Sequence, residues 1–180
     1  LPQLMTTFGL LMSGFMLLVS HLGEMDPSIT PRMPVLNSPL LSIHVSIIMI
    51  SYALLSLTFI SAIAYFLTCN SKRESVMAAN RQLTVLSQIF LYPAITTLGL
   101  GIFIGAIWAN ISWGSYWGWD PKETWALITF MIYAIPLHTN SFSALGKPKN
   151  YHLFMLLSFF SILMTYFGVN YILGGMHSYA

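Results

Sequence analysis

Residues 113 to 123 read WGSYWGWDPKE, so that Trp113, Tyr116, Trp117 and Trp119 fall within seven positions and are followed at once by a cluster of charge. Rings concentrated in one segment offer a flat apolar surface with a few polar groups at its edge, the kind of lining that pockets for large flat ligands use. At helical spacing Trp113, Tyr116, Trp117 and Asp120 would share one face, with Trp108 just before them and Trp125 one turn into the next helix. Gly114 and Gly118 interrupt the aromatics and let a planar ligand or another backbone approach closely. The competing reading is an interfacial belt, in which Trp and Tyr sit at headgroup level. A belt spreads its aromatics around the rim of several helices, whereas these are packed into one loop. The charged end has a local explanation: Asp120 is a good N-cap, Pro121 suits the first helical position, and Glu123 stands where a capping box places its acid.

Imidazole is the second chemistry-bearing group, carried by His21, His44, His138, His152 and His177. Two neutral imidazoles meeting over an aromatic platform supply the two axial nitrogens of a six-coordinate haem iron. His44 and His177 are therefore read as the metal-ligating pair. Trp113, Gly114, Tyr116, Trp117, Gly118, Trp119, Asp120 and Trp125 are read as the surface for a non-covalently held haem b. Taken singly, either histidine also reads as an amphipathic side chain at a membrane interface. His138, in IYAIPLH, is an ionisable residue at or inside the membrane; ligation of a second, inner haem and snorkelling to the headgroups both stay open for it. His21 competes with His44 as an outer ligand, and His152, beside Lys149, is read as inner-surface decoration. Cys69 is the single cysteine, which excludes an internal disulfide, a CxxC pair and a covalent CxxCH haem site within this chain. No acid–base catalytic residue stands out.

The elements that must position these groups are membrane helices. Of 180 residues 56% are hydrophobic and 7% charged, too little polar surface to face water. Runs of about 20 mainly apolar residues are needed to cross a bilayer, and five segments meet or approach that length, at about 4–22, 39–69, 84–109, 122–141 and 150–173. The fold class is thus an all-α membrane protein of about five transmembrane helices with an external tryptophan-rich loop. Lys72, Arg73 and Arg81 lie between the second and third spans, and Lys147 and Lys149 between the fourth and fifth, so both connections are expected on the cytoplasmic side. The opposite side then carries Glu24, Asp26 and Arg32, the tryptophan loop and the carboxyl end, which brings His44 and His177 to one face. Scattered basic residues and a net charge of +2 argue against a nucleic-acid partner. Residues 1–180 are expected to form one domain, compatible with the C-terminal part of a longer or fused chain.

These stretches resemble a known family. WGSYWGWDPKETWALITF is similar to the tryptophan-rich WWD signature of the haem-handling proteins of cytochrome c maturation, and its DPKET continuation resembles the Ccs-type (System II) branch rather than the Ccm-type. PVLNSPLLSIHVSIIMISYALL looks like the segment carrying that family's first external histidine, matching His44, and GVNYILGGMHSYA like the second, matching His177. IYAIPLH resembles the helix with the membrane-embedded histidine, matching His138. The resemblance implies cytochrome c biogenesis by a holocytochrome c synthase (haem lyase) that needs a partner region for the other membrane histidine. Haem would cross the membrane, be held at the external site, and be joined there to the CxxCH thiols of apocytochrome c. It also implies a bacterial inner membrane or thylakoid membrane, with the WWD loop periplasmic or lumenal. The rival readings are a b-type haem electron-transfer subunit, which clamps haem at matched depth between facing helices, and a cofactor-free scaffold or transporter whose platform binds lipid or protein.

Overall fold

In hydrocarbon every backbone N–H and C=O must be paired within its own segment, which drives apolar runs of this length into helices. The computed structural model describes residues 6, 9, 10, 13, 14, 39–138 and 142–173, and all regular structure among the described residues is helical. Helix α1 spans Pro39–Thr68, α2 Glu74–Trp113, α3 Pro121–Ala134 and α4 Pro148–Leu163. A 3-10 turn, Ile135–His138, extends α3, and a π-helical segment, Met164–Leu173, extends α4. Among the described residues three helices are long and apolar enough to cross a membrane: α1, α2 and α4 with its π-helical continuation. The expected first span falls mostly outside the described residues, although Thr6, Gly9, Leu10, Ser13 and Gly14 are helical. His21 and His177 lie outside them as well.

Two boundaries differ from the sequence expectation. The hydrophobic run predicts a third span at about 84–109, yet α2 begins at Glu74 and runs for 40 residues. At 1.5 Å per residue it is about 60 Å long, twice the hydrocarbon thickness. Arg81 is consequently an exposed residue of α2 rather than part of the connection, which is confined to residues 69–73. Hydropathy marks only where a helix meets lipid; helix formers such as Met77, Ala78 and Ala79 carry it further, and Thr68 Oγ1 donates to Asn80 Oδ1 at 2.7 Å to tie the extension to α1. The fourth span, expected to reach 141, ends as an α-helix at Ala134. Pro136 is the reason: it has no N–H for the carbonyl four residues back, and the last turn tightens to 3-10.

Helices α1 and α2 run antiparallel, with Ser51 Oγ donating to Ala94 O at 2.8 Å between them. Helix α4 closes on α1 through Phe59 and Phe159, stacked with centroids 4.1 Å apart, and its π-helical continuation closes on α3 through Thr129 and Thr165, whose hydroxyls are 3.0 Å apart. The outward residues Met49, Ile50, Ile89, Leu100, Phe103 and Ile107 stay exposed along α1 and α2. A continuous apolar exterior of this kind suits lipid and not water. One end of the molecule therefore gathers His44, Trp113, Asp120 and the π-helical segment, and the other the α1–α2 connection, His138 and the start of α4.

Candidate functional site

The tryptophan segment is built from a helix end and an extended loop. Trp113 is the last residue of α2, and Gly114, at φ 76°, closes the helix with its N–H donating to Asn110 O at 2.9 Å. A left-handed C-terminal residue is where glycine is favoured, because any Cβ there is strained. Residues 114–120 are then non-helical, so Trp113, Tyr116, Trp117 and Asp120 do not share a helical face as the spacing suggested. The aromatics are displayed all the same: Trp113, Tyr116 and Trp119 are exposed by 38%, 60% and 71%. Trp108, by contrast, is buried and packs edge-on against Trp113 with centroids 4.8 Å apart, so it supports the surface from beneath. Trp117 and Trp119 meet edge to face at 5.8 Å.

The charged residues fold this loop. Asp120, buried at the N-terminus of α3, accepts from Lys122 N at 3.1 Å, and Glu123 completes the capping box by accepting from Asp120 N at 3.2 Å. The same Glu123 oxygen accepts from Gly118 N at 2.9 Å. One carboxylate thus pins the backbone on both sides of Trp119, whose φ of 56° is unfavourable for a residue with a side chain. Lys122 Nζ donates to Asn170 Oδ1 at 2.9 Å, which ties the base of the loop to the π-helical segment. Trp125, half-buried one turn on, offers its carbonyl to Thr165 Oγ1 at 3.3 Å.

His44 stands in the second turn of α1 and packs onto α2. Its Nδ1 lies 2.8 Å from Gly101 O, and its ring covers Gly105, where a Cβ would come within 2.6 Å of Cε1 and 2.8 Å of Nδ1. Ile48, one turn further, covers Gly101 in the same way. Gly105 and Trp113 are eight residues apart on one helix, about 12 Å of rise, so α2 carries the histidine contact and the start of the tryptophan loop on one rigid rod. The close approach needs both glycines, and the signal for it was the small-xxx-small spacing of Gly101 and Gly105. Among the described residues these two glycines, the tie of Lys122 to Asn170 and the Gly118 contact of Glu123 are what sequence reasoning missed.

His138 is separated from all of this. It ends the 3-10 turn after α3, is exposed, and stands about 29 Å from Asp120 along the helix axis. His152 is not surface decoration: it is fully buried, stacked on Tyr65 at 4.4 Å, with Nε2 3.0 Å from Thr84 Oγ1 and no hydrogen-bond partner at Nδ1 among the described residues. Its neighbour Tyr151 is buried too and meets Ser87 Oγ at 3.2 Å. The reason is packing, since Tyr151 and His152 at the start of α4 lie against α1 and α2, while residues 147–150 just before them face outward.

Comparison with known proteins bears on what this arrangement serves. Residues 1–177 match a family model described as cytochrome C assembly protein. Protein NrfI of Wolinella succinogenes is 45% identical over 178 residues, covering 95% of this chain and 19% of its own length. The cytochrome c biogenesis protein CcsA of Chlamydomonas reinhardtii is 37% identical over 153 residues, 83% of this chain and 43% of that protein. CcsA of Prochlorococcus marinus is 34% identical over 206 residues, 97% of this chain and 64% of that protein. The chain thus spans less than two thirds of the length of each.

Proposed function

The chain belongs to the cytochrome c assembly protein family, and from that premise we propose that it takes haem as a substrate at the end of the molecule bearing the tryptophan loop and delivers it for thioether attachment to the CxxCH thiols of apocytochrome c. His44 and His177 are the axial ligands, and Trp113, Tyr116, Trp117 and Trp119 cover the porphyrin, in a loop held by Gly114, Gly118, Asp120 and Trp125. The observation that carries this reading is the common footing of His44 and the loop on α2, through Gly101, Gly105 and Trp113. The residues fit haem: Gly101 O occupies one ring nitrogen of His44, and the displayed rings give an exposed apolar surface. Non-covalent holding permits release, and thiols from the partner then add across the vinyl groups, sulfur to one carbon and the proton to the other. Keeping the two reactants together removes an entropic barrier worth about 7–11 kcal/mol in well-oriented cases.

His138, at the opposite end, belongs to an inner haem position completed by a membrane histidine from a partner region. The loop faces the periplasm or thylakoid lumen, and haem-lyase activity requires the partner region. The test is the double variant His44→Gly/His177→Gly of the full-length protein, purified with any upstream partner. It is expected to lose outer-site haem and holocytochrome c production; an undiminished Soret band would refute the assignment.

A further inference from the structure

We propose that the α2 backbone at Gly101 and Gly105 is the positioning device for His44, setting both its tautomer and its ring orientation for iron. The proposal rests on the haem reading above and adds to it two residues outside the tryptophan signature. A carbonyl oxygen only accepts, so the 2.8 Å contact with Gly101 O makes Nδ1 the protonated nitrogen of the neutral ring. The lone pair is then on Nε2, the free-electron nitrogen an iron ion requires, and the hydrogen bond from Nδ1 raises its basicity. Gly105 does the second part. A Cβ there would lie 2.6, 2.8 and 3.3 Å from Cε1, Nδ1 and Nε2 of the imidazole. Such a collision with a rigid planar ring is relieved only by swinging the ring off α2, and that swing breaks the bond to Gly101 O.

Gly99 supplies the control. A Cβ at Gly99 would meet Phe130 at 3.2 Å, an intrusion on the same helix against a ring that takes no part in ligation. In full-length protein with any upstream partner, Gly105→Ala is expected to weaken haem binding about 10–100-fold, the usual cost of losing an outer-shell partner. It should also convert the low-spin, bis-histidine optical and electron paramagnetic resonance signatures to high-spin ones, with added imidazole restoring the low-spin form. Gly99→Ala should keep the parent spectrum. A parent-like low-spin spectrum in Gly105→Ala overturns the proposal, as does equal loss in Gly99→Ala. His44→Gly separates the two levels: if it retains low-spin haem the haem reading itself fails, whereas loss in His44→Gly with none in Gly105→Ala refutes only the positioning role. Should Gly105→Ala not accumulate, ¹⁵N-histidine spectra of the haem-free parent protein decide. The signals absent from His44→Gln must be those of an Nδ1-protonated ring, and an Nε2-protonated pattern overturns the proposal.

Discussion

At the scale of single residues, Glu123 holds more of the site than its capping role requires. Its carboxylate binds the N–H groups of Gly118 and Asp120 on either side of Trp119, which sits at a positive φ. Glu123→Ala should remove both bonds and release the loop, at a cost of about 1 kcal/mol for the cap. The expected outcome is lower haem occupancy with normal membrane insertion, while Glu123→Gln, whose amide oxygen still accepts, keeps most of it; equal loading in all three proteins would show that the latch is irrelevant. The capping box itself was legible because its partners are three residues apart and their types state the geometry. The reach to Gly118 was not, since it depends on the path of a loop with no periodicity. His152 shows the opposite error: Lys149, three positions away, suggested a surface, yet burial is settled by which helices lie on either side.

At the scale of elements, Lys122 Nζ to Asn170 Oδ1 is a contact that fastens the base of the loop between α3 and the π-helical end of α4. A hydrogen bond to a charged group contributes about 1.5–3 kcal/mol when it is well made. Lys122→Met and Asn170→Leu should each lower the unfolding midpoint in detergent. The double variant should fall short of their sum by about 1 kcal/mol, since contacting residues are coupled; strict additivity would mean that the bond contributes nothing. Asn170 lies seven residues before His177 in sequence, so both single variants are also expected to reduce outer-site haem. Helix identity in this region was readable from apolar run length, as with α1, which matches its expected span to within a residue. Helix ends were not: α2 outlasts its hydrophobic run by ten residues at its start, and Pro136 shortens α3, because caps and prolines act locally where hydropathy is averaged over a window.

At the scale of the whole molecule, alternating antiparallel helices sort the chain into two ends, and among the described residues the basic side chains outside the helices, Lys72, Arg73 and Lys147, lie at one of them. In a Cys69→Ser background, Ser115→Cys in the tryptophan loop should react with a membrane-impermeant maleimide in intact cells, and Ser143→Cys only after permeabilisation. The reverse pattern would invert the proposed orientation. From the sequence alone come the helical membrane class, the order of spans, the cap at Asp120 and the family signature, because each depends on composition or on residues within one helical turn. The seating of His44 on Gly101 and Gly105, the burial of His152 and the Lys122–Asn170 tie join residues 57, 68 and 48 positions apart. Only the tertiary structure decides such contacts, since steric fit between two helix surfaces is a property of the pair and is written in neither helix by itself.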